Sequence, residues 1–253
     1  MSDRAGTSIS FDRIAPIYEE SRGGLVRGGS YARTIAPHLL PGTVLEIGIG
    51  TGSVALPLTQ EGHPVVGVDL SANMLTFAHE RLGARVAIGD VMALPIASAS
   101  VANVVAVWVF QLVGSVEATL IEARRVLHER GRLVVIPSVG HFEPDDIDEV
   151  SVDFQTLIRG ARQDTPGALR AAAEGVGFAM VEQRFTERQE FEESPSKIAD
   201  QIEARGYGIL LDLGAEEWQR IVVPVVSALR SLPEPNRPRR RSTRNDLVVF
   251  EPV

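Results

Sequence analysis

The stretch Val44-Leu45-Glu46-Ile47-Gly48-Ile49-Gly50-Thr51-Gly52 constrains this chain more than any other: a short apolar strand runs straight into a glycine-rich turn. Glycines at alternate positions let the backbone adopt conformations closed to other residues and let a ligand approach closely, while the helix that starts next supplies free N–H groups. Val65-Val66-Gly67-Val68-Asp69 follows as a second strand ending in a carboxylate, which can hold both hydroxyls of a ribose. The two elements together describe a nucleoside-binding crevice at the carboxyl edge of a sheet.

The rest of the chain alternates in the way a parallel sheet covered on both faces requires. Strand one spans residues 43–47, a helix runs from Thr51 or Gly52 toward Glu61, and strand two spans 65–69. Ser71 sits where an N-cap belongs, with Met74, Leu75, Ala78 and Leu82 recurring at helical spacing. Strand three is 85–88, and the β-branched run 101–109 is a central strand buried on both sides. A helix over 116–127, a turn at Glu129-Arg130-Gly131 and strand five over 132–136 follow, stopped by Pro137. Residues 141–148 read as a loop, continuing irregular or helical to Arg162. Thr165-Pro166 opens a helix to about Gly175, and 178–185 is strand six. Two helical segments, 194–205 and 215–232, precede a last short strand over 246–251.

At 253 residues and 44% hydrophobic content a single large domain is expected. With no cysteine in the chain, disulfides, thiolate nucleophiles and Cys-based metal sites are excluded. No apolar leader or membrane span is evident, so a cytoplasmic location and no membrane partner are expected. The net charge of −8 argues against a general nucleic-acid binder. Arg237-Pro238-Arg239-Arg240-Arg241-Ser242-Thr243-Arg244 reads as a solvated loop before the last strand, with a clamp for an anionic substrate as the alternative.

Further motifs sit at fixed order after the glycine turn: Gly67-Val68-Asp69-Leu70-Ser71-Ala72-Asn73-Met74-Leu75, then Gly89-Asp90-Val91-Met92-Ala93-Leu94-Pro95-Ile96, then Glu122-Ala123-Arg124-Arg125-Val126-Leu127 leading to Gly131-Arg132-Leu133-Val134-Val135. With Glu46-Ile47-Gly48-Ile49-Gly50-Thr51-Gly52 they resemble class I S-adenosylmethionine-dependent methyltransferases, in the small-molecule branch that includes ubiquinone/menaquinone-biosynthesis enzymes (methyltransferase type 11). The resemblance runs from Phe11 to about Ile136 and continues by topology alone. The turn also departs from the dinucleotide fingerprint G-x-G-x-x-G, because Ser53 stands where the third glycine belongs.

The resemblance implies an α/β fold: a seven-stranded Rossmann-like doubly wound sheet, order 3-2-1-4-5-7-6 with the last strand antiparallel, and a helical insertion between strands six and seven. It implies one domain over 1–253, with an N-terminal helical cap over 1–40 and a helical lid over 186–243 that includes Tyr207 and Trp218. The implied cofactor is S-adenosyl-L-methionine. Gly48, Gly50 and Gly52 would shape the turn around its methionine and ribose; Asp69 would accept from the ribose hydroxyls; Leu70 and Met74 would pack on ribose or adenine. Asp90 and Val91 would recognise adenine, Val107 and Trp108 would line the methionine side, Glu46 would order the site, and Tyr18 would close over it. Structural alternatives stand beside these roles: Asp90 as a turn cap, Trp108 and Met74 as core residues.

The methyl group of such a cofactor is already activated, so in-line displacement needs placement at about 3 to 3.5 Å and exclusion of water rather than a metal or covalent intermediate. Many relatives carry two histidines at the end of strand four; here Val107-Trp108-Val109-Phe110-Gln111 has none. Gln111, which can orient an acceptor but not deprotonate it, and His141 are the catalytic candidates, with Glu143, Asp145 and Asp146 nearby in sequence. No spacing suggests a metal site. The expected partner is a small organic methyl acceptor, quinone-like or a secondary metabolite; a homodimer is compatible with the chain. An NAD(P)-dependent oxidoreductase and a noncatalytic cofactor-binding protein are the alternatives.

Overall fold

The computed structural model describes residues 23–160, 163–206, 210 and 213–253. These form two compact units. The first takes the described residues to Val139 with Gln163–Glu187 and Asn245–Val253, and the second takes Gly140–Arg162 and Arg188–Arg244. Among the described residues no helix is long and apolar enough to cross a membrane.

The first unit opens with α1 (Gly24–Ile35), followed by β1 (Val44–Ile47), α2 (Ala55–Gln60), β2 (Val65–Asp69), α3 (Ala72–Leu82), β3 (Val86–Ile88), β4 (Val101–Val107), α4 (Val116–Val126) and β5 (Leu127–Ile136). After the first segment of the second unit, which holds β6 (Gly140–Phe142), α5 (Asp146–Val150) and α6 (Val152–Gly160), come α7 (Pro166–Gly175) and β7 (Phe178–Phe185). The second unit then resumes with β8 (Gln189–Glu193), α8 (Pro195–Glu203), α9 (Ala215–Glu217) and α10 (Val223–Ser231), and β9 (Arg239–Pro252) closes the chain.

Strand alternation explains why both faces of the sheet must be covered. Leu45, Ile47, Val104, Ala106, Leu133 and Val135 belong to one core with Leu120, Ala123 and Val126 of α4 and Leu169 and Ala173 of α7. Val44, Val105, Val134 and Ile136 belong to another with Tyr31, Ala32 and Ile35 of α1, Leu58 of α2 and Leu75 and Ala78 of α3. Glu46 falls between Leu45 and Ile47, so the period of two sends it to the α1 face. Side-chain caps start the helices: Ser71 Oγ accepts from Met74 N–H at 3.1 Å, Ser115 Oγ from Ala118 N–H at 3.1 Å, and Thr165 Oγ1 from Ala168 N–H at 3.3 Å.

The sheet order through the first unit is β3-β2-β1-β4-β5-β9-β7, with β9 antiparallel to both neighbours. Numbering only the seven strands anticipated from sequence, this is the order 3-2-1-4-5-7-6. Ile47 lies opposite Val68 on one side and Ala106 on the other, so the glycine turn, Asp69 and Val107 leave the sheet at one edge.

Four local expectations are corrected. Strand four ends at Val107 rather than 109, because Trp108 takes the left-handed φ of +58° and turns the chain. Strand five starts at Leu127; the anticipated turn at 129–131 is absorbed by a register shift between Val101 and Asn103. Residues 141–148 are loop only over 143–145, between β6 and α5, which Asp145 caps through Ile147 and Asp148 N–H groups. The last strand begins at Arg239, so most of the arginine run is a paired strand instead of a solvated loop. Its cross-strand charges explain this: Arg240 pairs with Glu190, and Arg241, only 7% exposed at its side chain, bonds Asp145 at 2.6 Å and Asp148 at 2.8 Å. Those contacts occupy Arg241 structurally. The second unit has its own core, built on Ile147, Phe154, Ile198, Ile202, Val225 and Leu229.

Candidate functional site

The site begins where β1 ends. Gly48 and Gly50 take φ of +63° and +55°, in the left-handed region that side chains disfavour. A Cβ on Gly48 would stand 2.6 Å from Val109 Cγ2, whereas among the described residues nothing lies within 4 Å of a Cβ placed on Gly50. One glycine permits close packing and the other leaves room. The turn is held by the acid at the end of β2: Asp69 Oδ2 accepts from Gly50 N–H at 2.7 Å and Oδ1 from Ser71 N–H at 2.8 Å. These bonds fix the carboxylate at the crevice edge.

A pocket opens above the turn, lined by Glu46, Gly48, Gly50, Thr51, Val107 and Trp108 and, from α1, by Gly24, Arg27, Gly28 and Tyr31. The α1 residues recur at i, i+3, i+4 and i+7, one face of a helix. Gly28 lets that face approach: a Cβ there would fall 2.1 Å from the Ser53 carbonyl oxygen. Sequence reading placed an N-terminal cap here but missed Arg27 and Gly28; the spacing 24, 27, 28, 31 was the available signal.

The electrostatics of the pocket are unbalanced. Glu46 is 2% exposed, and its Oε2 accepts no hydrogen bond among the described residues. Burial, and secondarily the charge of Asp69, push its carboxyl up to about 8. Trp108 Nε1–H is buried and likewise has no acceptor among the described residues. The Arg27 guanidinium carbon lies 5.2 Å from the Trp108 ring centroid, and Tyr31 meets the same ring edge-on at 5.7 Å. Among the described residues, the lining of one pocket therefore combines a buried carboxyl with an unmatched oxygen, an indole N–H without an acceptor and a guanidinium suited to an anion. A zwitterion satisfies all three.

The structure brings Glu46, Gly48, Gly50, Val107 and Trp108 together in this pocket, with Asp69 bonded to its floor. Gly52 (φ +77°) ends the turn, and Leu70 follows Asp69 at partial exposure. Met74 is buried in the first turn of α3 and Val91 in the core. Asp90 Oδ1 accepts from Met92 N–H at 2.9 Å, so this residue does cap the next turn. Gln111 Nε2 donates to the Trp108 carbonyl at 3.4 Å. His141 belongs to the second unit, exposed on β6. Tyr18 and Tyr207 lie outside the described residues.

Comparison with known proteins gives a consistent picture. Residues 45–135 match the model of a methyltransferase domain. The demethylmenaquinone methyltransferase of Thermus thermophilus is 33% identical over 138 residues, covering 50% of this chain and 63% of that enzyme. The chain spans less than two thirds of the length of the first curated relatives it matches. Among solved structures, a SAM-dependent methyltransferase from Thermotoga maritima superposes with a TM-score of 0.55 at 20% identity, covering 96% of this chain and 97% of that one. Geranyl diphosphate C-methyltransferase of Streptomyces coelicolor A3(2), crystallised with S-adenosyl-L-homocysteine, gives 0.54 at 16% identity, covering 88% and 76%. At these identities the structural likeness shows the fold.

Proposed function

We propose, from the match of residues 45–135 to the model of a methyltransferase domain, that the protein binds S-adenosyl-L-methionine and transfers its methyl group to a small organic acceptor. The observation that carries this reading is that two residues lining one pocket, Glu46 and Trp108, each bury a polar atom, Oε2 and Nε1, that has no hydrogen-bond partner among the described residues. An amino-acid head group supplies an ammonium for the first and a carboxylate for the second. The bound cofactor would supply a methyl activated by its sulfonium.

The chain's own residues then have separable tasks. Glu46 faces the ammonium, and Trp108 Nε1–H with Arg27 takes the carboxylate. Asp69, held by Gly50 and Ser71, accepts from the ribose hydroxyls. Leu70 and Met74 pack against ribose and adenine, with Asp90 and Val91 at the adenine edge. Gly50 keeps a side chain out of the cofactor's path, and Gly48 and Gly52 shape the turn around it. Val107 walls the methionine side. Gln111, tethered to the Trp108 carbonyl, orients the acceptor. Since the end of β4 carries Trp108, Val109, Phe110 and Gln111 and no proton acceptor, the acceptors that suit it are those whose nucleophilic atom ionises unaided or needs no deprotonation. The quinone-like class, to which the acceptor named for the Thermus relative belongs, is the acceptor class we favour.

Calorimetric titration with S-adenosylhomocysteine, followed by labelled-methyl turnover on a metabolite panel, tests the reading. Saturable one-to-one binding with methyl transfer to a small molecule is expected; nicotinamide dinucleotide binding in its place contradicts it. Arg27→Gln removes a charge-assisted contact to the carboxylate and is expected to weaken S-adenosylhomocysteine about tenfold, equivalent to about 1.4 kcal/mol. Unchanged affinity on the same titration would take Arg27 out of the site.

A further inference from the structure

Trp108 is an unusual residue on which to build a pocket wall. Its φ of +58° is a conformation that a bulky side chain holds only when its surroundings impose it. Its backbone is imposed by β5, because Trp108 N–H donates to the Ile136 carbonyl at 2.9 Å. Its ring is imposed by Tyr31, whose edge meets it at 71°. What holds Tyr31 is a residue 214 positions away: the phenol donates to Asn245 Oδ1 at 2.8 Å, with both residues 2% exposed.

Asn245 has no alternative orientation. Its Nδ2 donates to the Pro137 carbonyl at 3.1 Å, so flipping the amide would set two oxygens against each other. Its backbone is clamped on both sides by Thr186: Asn245 N–H donates to Thr186 Oγ1 at 3.0 Å, and Asn245 O accepts from Thr186 N–H at 2.8 Å. The amide oxygen is thus presented at one fixed point, between the end of β5 and the α1 face.

We propose that Asn245 is a positioning residue for the nucleoside pocket: through Tyr31 it sets the orientation of the Trp108 indole, and with it the affinity for the cofactor's amino-acid head. This rests on the cofactor reading of the pocket given above. It adds a determinant from the last strand, outside the residues that line the pocket. Asn245 and Tyr31 act in series, so their losses overlap instead of multiplying.

The chain has two tryptophans, and a Trp218→Phe background leaves Trp108 as the sole tryptophan, excited selectively at the red edge of the absorption band. In that background Tyr31→Phe, Asn245→Ala and the double variant are titrated calorimetrically with S-adenosylhomocysteine, and Trp108 emission and acrylamide quenching are recorded without ligand. Each single variant is expected to lose about tenfold in affinity with a shifted emission maximum and increased quenching, and the double variant to lose no more than about the larger single loss. Unchanged affinity or emission in Tyr31→Phe, which keeps the ring and removes only the hydroxyl, overturns the proposal even if Asn245→Ala fails to fold. Losses that multiply to about a hundredfold overturn it too. Failure of the parent to bind S-adenosylhomocysteine contradicts the cofactor reading itself, a result distinct from parent binding with unaffected variants.

Discussion

Glu46→Gln is expected to yield a protein more stable than the parent in alkaline solution and poorer at binding cofactor. The Glu46 carboxyl sits at about 8 in the folded chain against an ordinary 4.5, chiefly because burial disfavours its charge and then because Asp69 repels it. Below about pH 4.5 the folded and unfolded chains both hold this proton, and Glu46 costs nothing. Between about pH 4.5 and 8 the unfolded chain has released it while the folded chain keeps it. The folded state therefore binds more protons, and stability falls as pH rises, levelling off above pH 8. A shift of this size corresponds to roughly 4 to 5 kcal/mol at the plateau. Glutamine escapes the cost. Thermal unfolding of parent and variant at about pH 5 and pH 9 should show near-equal midpoints at the first and a clear advantage for Glu46→Gln at the second; parallel profiles would mean that Glu46 is not held protonated. The cofactor's ammonium reverses the sign of the local demand, so parent affinity for S-adenosylhomocysteine should climb from about pH 5 toward pH 8, and the variant's should be weaker and flatter.

Asp69→Ala is expected to have the largest effect on binding. On sequence alone the change should weaken the cofactor and leave the fold intact. In the structure the carboxylate also receives Gly50 N–H and Ser71 N–H, and so holds the turn and the start of α3. Hydrogen bonds to a charged group are each worth about 1.5 to 3 kcal/mol. Losing the ribose contact along with the preformed turn should reduce S-adenosylhomocysteine affinity by about a hundredfold or more and lower the unfolding midpoint. Asp69→Asn, which can still accept through one oxygen, should fall between. Calorimetry and thermal unfolding on the three proteins check this; an Asp69→Ala protein that binds like the parent would remove Asp69 from the site.

The sheet was legible because its signals are local and periodic. Buried strands such as Val101–Val107 are apolar runs, Ser71 and Thr165 are side-chain caps, and the glycines after Ile47 admit the left-handed turn that other residues disfavour. What escaped depends on contacts distant in sequence. Arg239 and Arg241 are strand residues because Asp145, Asp146 and Asp148, about a hundred positions earlier, pair with them. Nothing near Trp108 announces a left-handed backbone, which is imposed by β5 and α1. Glu46 was legible as a site residue from its motif, but its unmatched oxygen and raised pKa follow from burial under α1. Arg27 carries no motif and was visible only through helical spacing, once a helix was known to lie there.

A crystal structure with S-adenosylhomocysteine bound tests the central claim most directly. The ammonium is expected against Glu46, the carboxylate toward Trp108 Nε1 and Arg27, the ribose hydroxyls on Asp69 and the adenine beside Asp90. The nucleoside lying elsewhere on the chain, or in this pocket with its head group turned away from Glu46, would contradict it.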